Sequence, residues 1–189
     1  RIRRQRQMCI RDRDLLFFQA DIHGNLLIRQ RMRVIRALLE QEEVTVVTSI
    51  DGCMDFLMPL EKIRSRLLHF KSDSVIDLDQ LKEELVELGY ERTGQVELPG
   101  QFSVRGGIID IYPLTEDNPW RIELWDDEVD SIRSFDAESQ RSLENVDEIT
   151  IYPAAEKMDG EDMVSFLDYF PEEKTLVFLE ELNHLAENG

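Results

Sequence analysis

The sequence predicts an α/β domain that carries an inserted α+β domain, and two observations lead to this fold class. The N-terminal and C-terminal parts of the chain alternate helical and strand patterns, which is typical of an α/β layer. Between them, one amphipathic helix is followed by short strands with turn signals, which predicts a bent antiparallel sheet. We therefore predict α/β segments at residues 14–72 and 156–189, and an inserted domain at residues 73–155.

In the first segment, the predicted elements are a helix, a strand and a second helix. Residues 15–24 are apolar and then loop-like. Apolar residues recur at helical spacing over Leu27–Gln41, with arginines at the other positions. The β-branched run Val44–Ser49 predicts a buried strand, and Ile50–Leu57 predicts a short helix that Pro59 helps to end.

The inserted domain is predicted to open with a helix. A strand is indicated at Leu67–Phe70, before the insert. Asp77 and Gln80 form a capping-box pattern at the start of the helix, and Gly89 is suited to its C-terminal end. Five strands are expected after it: Tyr90–Pro99, Gln101–Pro113, Trp120–Asp126, Val129–Phe135 and Glu148–Pro153.

The last segment is predicted to return to the α/β pattern. An amphipathic helix is indicated from Lys157, with Met163, Phe166 and Leu167 on its apolar face. The run TLVFLE, Thr175–Glu180, predicts a strand after it.

The composition fits a folded protein without a membrane span. Apolar residues make up 42% of the chain and charged residues 33%, which excludes a globally disordered chain. No apolar run reaches the roughly 20 residues that a spanning helix needs. The cysteines Cys9 and Cys53 are too few for a disulfide framework or a zinc site. We therefore expect a cytoplasmic protein that does not bind membranes.

Charge is distributed unevenly along the chain. Residues 1–13 hold six arginines and one aspartate, so their net charge is +5, and −18 − 5 = −23 remains on the other residues. Residues 126–189 alone hold 19 acidic and four basic side chains. Such a surface repels phosphate backbones, which argues against nucleic acid as a direct ligand of the body of the chain.

The basic segment at residues 1–13 has two interpretations. One is an arm that binds nucleic acid. The other is a non-native tail, because RQRQMCIRDR resembles a translated sequencing adapter. We adopt the second interpretation and leave the segment out of the fold prediction. We then expect the native sequence to start near Asp14, as part of a longer protein.

The sequence contains no motif for catalysis or for a cofactor. The motifs GxxxxGK[ST], GxGxxG and GxSxG are absent. His23, His69 and His184 have no nearby ligand at metal spacing, so we interpret them as surface or loop residues. The acidic run Asp126–Glu128 fits a turn better than a metal site, because adjacent carboxylates in a strand or tight turn point apart. We expect no catalytic, cofactor-binding or metal-binding residue in this chain.

The strand WRIELW places unusual residues on its outer face. The period of two puts Trp120, Ile122 and Leu124 on the core face, and Arg121, Glu123 and Trp125 on the other. Tryptophan and arginine are enriched at binding hot spots, which favours a binding surface. A structural role fits the spacing equally well, with Trp125 under a neighbouring loop and Arg121 paired with Glu123 or Asp127.

Four stretches carry a resemblance to a known family: LKEELVELGYER, QFSVRGGIIDIYP, NPWRIELWDDEVDSIRSFD and SQRSLENVDEITIYPA. They resemble the UvrB-homology region of the bacterial transcription-repair coupling factors, Mfd. The resemblance implies a degenerate, helicase-like (P-loop-type) α/β layer whose insert docks onto the repair protein UvrA. It also implies an ATP- and magnesium-dependent DNA translocase, an RNA-polymerase-binding module and a regulatory domain farther along a longer chain.

The resemblance also implies a binding site. Arg105, Arg121 and Trp125 match the family's UvrA-contact pattern, with tryptophan where the family often has phenylalanine. Gly106 and Gly107 are interpreted as a bulge or close approach that bends the strand and presents Arg105 beside the other two. In the family, another domain of the same protein can cover this surface as an intramolecular clamp.

Two alternatives belong to other classes. The chain could come from the excision-repair protein UvrB, which shares the pattern of a strand, an RG pair, a strand and a hairpin. It could also belong to an enzyme that binds nucleotide or DNA directly, although the net charge and the absent phosphate-binding loop argue against this.

Overall fold

The computed structural model describes residues 6–9, 20–49, 52–53, 56–155 and 162–178. The chain divides into two compact units, residues 1–62 with 157–189 and residues 63–156. The strands and helices, in chain order, are β1 Arg6–Cys9, α1 Ala20–Leu39, β2 Val44–Val47, β3 Phe56–Leu57, α2 Leu60–Ser65, β4 Leu68–Lys71, α3 Leu78–Glu87, β5 Glu91–Arg92, β6 Gln101–Arg105, β7 Ile108–Ile111, β8 Trp120–Trp125, β9 Glu128–Phe135, β10 Ser142–Val146, β11 Glu148–Ile151 and β12 Val164–Ser165.

The long helix α1 belongs to the first unit. Its first turns cover part of the segment predicted to be loop-like, so that prediction is wrong from Ala20 onward. Met32 and Ile35 are buried, as their helical spacing predicts. Arg31 is buried too, at 4% exposure, although it is not one of the apolar positions of the helical pattern.

Strand β2 confirms the strand predicted from the β-branched run, over Val44–Val47. It pairs in parallel with β1, with Arg6 opposite Val44, so part of the basic N-terminal segment forms a strand. The expectation of a fully buried strand is wrong, because partly buried and exposed residues alternate along β2 and Val47 is 45% exposed.

The C-terminal part of the first unit differs from the prediction. Strand β12 pairs antiparallel with β3, and a 3-10 helix, Phe166–Tyr169, follows it directly. The predicted amphipathic helix is therefore wrong at these residues, and the helix predicted to reach Leu57 is wrong at β3. Residues 175–178 form no strand and their apolar side chains are exposed, while residues 179–180 lie outside the described residues.

The second unit contains a six-stranded sheet in the order β10-β9-β8-β7-β6-β5. Neighbouring strands in this sheet are antiparallel, apart from the parallel pair β5 and β6. The predicted strand Tyr90–Pro99 is reduced to β5, and β10 was not predicted. The unit also includes β4, which pairs antiparallel with β11, so it extends beyond residues 73–155. The described chain is thus a mixed α/β structure with antiparallel sheets.

The apolar face of the six-stranded sheet forms the core of this unit. Val104 lies opposite Ile109, which lies opposite Ile122, which in turn lies opposite Ile132. The last three side chains are at most 1% exposed. Burying such side chains supplies the main driving force for folding, about 2 kcal/mol for each.

Helix α3 has the ends that the sequence predicts. The Asp77 side chain accepts hydrogen bonds from the backbone N–H groups of Asp79 and Gln80, at 2.9 and 3.1 Å. Leu88 ends the helix, and Gly89 follows with a φ of +87°. A Cβ at Gly89 would lie 2.8 Å from the Cβ of Ala155, so both conformation and space favour glycine.

Asp77→Ala is expected to lower the free energy of unfolding by about 1 kcal/mol, because two N–H groups lose their acceptor. Urea denaturation followed by circular dichroism measures this change. Asp77→Ser, which keeps an N-capping oxygen, is the matched control and should retain most of the stability. An unchanged unfolding midpoint in the alanine variant would contradict the capping role.

No helix in the described part of the chain is long and apolar enough to cross a membrane.

Candidate protein-binding surface

One face of the six-stranded sheet carries a row of polar side chains. The register places Ser103 opposite Asp110, Asp110 opposite Arg121, and Arg121 opposite Arg133, which lies opposite Asn145. Directly opposed residues in a sheet project to the same side. These five residues therefore cross the sheet on the face opposite the core residues Ile109 and Ile122.

Asp110 is the buried centre of this row. Its side chain is 1% exposed and accepts hydrogen bonds from two arginines. Arg121 donates from Nε to Oδ1 at 2.6 Å and from Nη2 to Oδ2 at 2.8 Å, a two-pronged contact. Arg105 donates from Nη2 to the same Oδ2 at 2.7 Å. A buried carboxylate needs such partners to offset its lost hydration.

Further contacts fix the position of Arg121. Its Cζ lies 4.4 Å from the centre of the Phe135 ring, a cation–π geometry. Its Nη2 also donates to Oε1 of Gln140 at 3.1 Å, and the amide of Gln140 donates to the carbonyl of Ala137 at 2.8 Å. Hydrogen bonds to Asp110 raise the pKa of Arg121 above its usual value, against the effect of burial, so this side chain stays charged.

A second ion pair lies beside the first. Arg133 donates from Nη1 to Oε2 of Glu123 at 2.9 Å and from Nη2 to Oε1, and Ser131 donates to Oε2 at 3.2 Å. The hydrogen bonds from Arg133 lower the pKa of Glu123. Together with the first cluster, Arg105, Arg121 and Arg133 interact with Asp110 and Glu123 on this face.

The two glycines form the turn of a hairpin. Arg105 pairs with Ile108, so Gly106 and Gly107 connect β6 to β7. Gly106 has a φ of +59°. A Cβ at Gly107 would lie 3.0 Å from the carbonyl oxygen of Leu124, and the Gly107 carbonyl accepts from the Leu124 N–H at 2.7 Å. The predicted bulge is wrong, whereas the predicted close approach is confirmed at Gly107.

Trp125 lies at the end of β8, next to this turn, and is 80% exposed. The predicted turn after it is confirmed, with Asp126 at a φ of +62°. Trp125 is opposite Glu128, which also forms a bridge with Val75, a residue that is 71% exposed. Aromatic and apolar surface therefore lies open at this end of the β8–β9 hairpin.

The structure brings two of the three predicted site residues together. Arg105 and Arg121 share Asp110, while Trp125 lies on β8 four residues beyond Arg121. The structural alternatives considered for these residues do not hold in detail. Arg121 pairs with Asp110 rather than with Glu123 or Asp127, and Trp125 is too exposed to lie under a loop. Contact with UvrA remains a prediction for all three.

Sequence reasoning missed the residues that organise this surface. Asp110 was assigned to the strand that fills the sheet, yet it is an acidic residue in the middle of the apolar run GGIIDIYP. That position could have indicated a buried partner for the nearby arginines. Gln140 and Phe135 carry no comparable signal, since their contacts depend on the path of the β9–β10 connection.

The described residues contain no group of three or more histidine, cysteine, aspartate or glutamate side chains placed to hold a metal ion. His69 lies on the surface, with Nδ1 3.0 Å from the Thr150 hydroxyl. His184 and the side chain of His23 lie outside the described residues. Burial raises the pKa of the Cys53 thiol, which reduces its reactivity.

Comparison with known proteins identifies the domain family of the second unit. The family model of the UvrB interaction domain matches residues 68–156. This range begins at β4 and ends after β11, so it contains the whole polar face. The transcription-repair-coupling factor of Bacillus subtilis (strain 168) is 50% identical over 127 residues, which cover 67% of this chain. The chain belongs to the family of transcription-repair-coupling factors.

Other transcription-repair-coupling factors match over a longer range at lower identity. The protein of Staphylococcus aureus (strain USA300) is 37% identical over 154 residues, or 82% of this chain. That of Staphylococcus haemolyticus (strain JCSC1435) is 36% identical over the same length. The matched parts span only 11% to 13% of these relatives, so the chain corresponds to a small part of a coupling factor.

Proposed function

We propose that the polar face of the six-stranded sheet is a docking surface for UvrA. The observation that carries the proposal is that a half-exposed arginine and a largely exposed tryptophan occur on the same sheet of a UvrB interaction domain. Arg105 and Trp125 supply the contacting groups, and Arg121 supports them from a more buried position. Arginine and tryptophan are the side chains that most often dominate binding energy.

The charge of the surface defines what it recognises. Of the two arginines that bind Asp110, Arg105 is the more exposed, with 46% of its side chain accessible. The chain as a whole has a net charge of −18. An acidic group on UvrA would pair with Arg105, while the acidic remainder of the chain repels nucleic acid.

Arg105→Ala is expected to weaken UvrA binding by about 2 kcal/mol, because it removes a contacting side chain and its positive charge. Isothermal titration calorimetry with purified UvrA measures the affinity. Arg64→Ala, which removes an exposed arginine from α2, is the matched control and should bind like wild type. Equal affinity of wild type and Arg105→Ala would refute the site.

We extend the proposal to the rest of the coupling factor. The first unit would be part of a degenerate helicase-like layer that has lost its phosphate-binding loop. The full-length protein would act as an ATP- and magnesium-dependent DNA translocase that releases stalled RNA polymerase and recruits excision repair in the cytoplasm. The support for these activities is the family membership, and this chain would contribute the adaptor rather than the motor.

The adaptor role predicts that this chain binds neither ATP nor single-stranded DNA. Calorimetric titration with each ligand, in the presence of magnesium, should show no saturable heat. Tight, magnesium-dependent ATP binding would instead favour the alternative of a nucleotide-binding enzyme, including UvrB itself.

A further inference from the structure

We infer that Asp110 is the positioning residue of the docking surface: it holds Arg105 and Arg121 in the arrangement that UvrA binds. This inference rests on the proposed function and adds a residue that the resemblance does not assign. Asp110 is buried and cannot itself contact a partner. Its role is therefore exerted through the two arginines.

The hydrogen bonds show how one carboxylate can orient two cations. Nη2 of Arg105 and Nη2 of Arg121 lie 2.7 and 2.8 Å from the same oxygen, Oδ2 of Asp110. Two guanidinium groups that approach the same oxygen repel each other unless that oxygen carries negative charge. Without Asp110, Arg105 would turn away from Arg121 and lose its fixed orientation.

The two arginines depend on Asp110 to different degrees. Phe135 and Gln140 also hold Arg121. Among the described residues, the Arg105 side chain is hydrogen-bonded to Asp110 alone. Asp110 is the direct cross-strand neighbour of Arg121 and lies diagonally from Arg105 across the β6–β7 hairpin. Loss of Asp110 should therefore free Arg105 more than Arg121.

Pre-orientation of Arg105 matters for binding. A long side chain that is ordered before association loses less conformational entropy when the partner binds. Since one hydrogen bond to Asp110 leaves other N–H donors of the guanidinium free for a partner, Arg105 can be held and still bind an acidic group. Asp110 thus both neutralises part of the positive charge and directs the remainder outward.

A double-mutant cycle between Asp110→Asn and Arg105→Ala tests this inference by UvrA affinity. Asparagine keeps the shape but loses one acceptor and the charge. We expect Asp110→Asn to weaken binding about tenfold in the wild-type chain and less than about threefold in Arg105→Ala, because interacting residues are not additive. Asp147→Asn, an exposed aspartate in the same unit, is the matched control and should leave the affinity unchanged.

The outcomes separate this inference from the proposed function. If Arg105→Ala binds UvrA like wild type, the proposed function fails, and the inference fails with it. If Arg105→Ala weakens binding but folded Asp110→Asn does not, the inference alone fails. An equal effect of Asp110→Asn in both backgrounds would also overturn it, since Asp110 would then act independently of Arg105.

Two further measurements cover the case in which Asp110→Asn does not fold. Side-chain ¹⁵N relaxation of Arg105 in the free chain should show an ordered guanidinium in Arg121→Met and a mobile one in Arg121→Met with Asp110→Leu. The Arg121→Met, Asp110→Leu double variant contains no unpaired buried charge at this position and is expected to fold. It should also bind UvrA more weakly than Arg121→Met, and equal mobility and equal affinity of the two chains would overturn the inference.

Discussion

Asp110→Ala is expected to lower the free energy of unfolding by about 3 kcal/mol, the largest stability effect predicted for a polar residue here. The substitution leaves Arg121, whose side chain is 14% exposed, without the carboxylate that balances its charge. Arg105 contributes less to this cost, because its half-exposed guanidinium can turn to water.

Urea denaturation monitored by circular dichroism measures the effect. The informative control replaces both partners, Asp110→Leu with Arg121→Met, because removing a whole buried ion pair is often close to neutral while removing one partner is costly. We expect this double variant to be more stable than Asp110→Ala. A loss of less than about 1 kcal/mol in Asp110→Ala would show that water or other side chains compensate for the missing carboxylate.

Trp125→Ala is expected to weaken UvrA binding by about 2 kcal/mol while leaving the fold intact. The side chain is 80% exposed in the free chain, so its removal should change the free energy of unfolding by no more than about 0.5 kcal/mol. The binding loss arises because a large aromatic side chain buries extensive apolar area when a partner covers it.

Two substitutions serve as controls for Trp125. Trp125→Phe keeps an aromatic side chain and should retain most of the affinity. Val86→Ala removes an apolar side chain that is 56% exposed on α3, and should have no effect on UvrA binding. If Trp125→Ala binds as tightly as wild type, the exposed end of the β8–β9 hairpin does not belong to the docking surface.

The sequence predicted the second unit well because its signals are local. Asp77 and Gly89 mark the ends of α3, and alternation along β8 separates Ile122 from Arg121. The turn after Trp125 follows from an aspartate pair, whereas the hairpin turn after Arg105 was predicted as a bulge within one strand. Each of these features is determined by the conformational preferences of a few adjacent residues.

The failures occurred where longer-range pairing determines the structure. Strand β10 has almost no buried residue, so its pairing with β9 leaves no hydrophobic pattern. Strand β12 has only two residues and depends on its distant partner β3. The apolar residues 176–178 look like a buried strand in the sequence, yet they are exposed and form no strand in the described part of the chain.

In the candidate site, too, local features were predicted and contacts between strands were not. Periodicity placed Arg121 and Trp125 on one face, but it could not show that Arg121 would be largely buried against Phe135 and Asp110. That contact depends on the register of three adjacent strands, which brings Asp110 opposite Arg121. The two arginines therefore differ in exposure, with Arg105 half-exposed and Arg121 largely buried.

Docking of UvrA on the face that presents Arg105 and Trp125 can be measured directly. UvrA is titrated calorimetrically into the wild-type chain and into the Arg105→Ala, Trp125→Ala double variant, with matching circular dichroism spectra for both chains. We predict saturable binding to the wild-type chain and no measurable binding to the double variant. Equal affinity for the two chains, or no binding to the wild-type chain, would contradict the account.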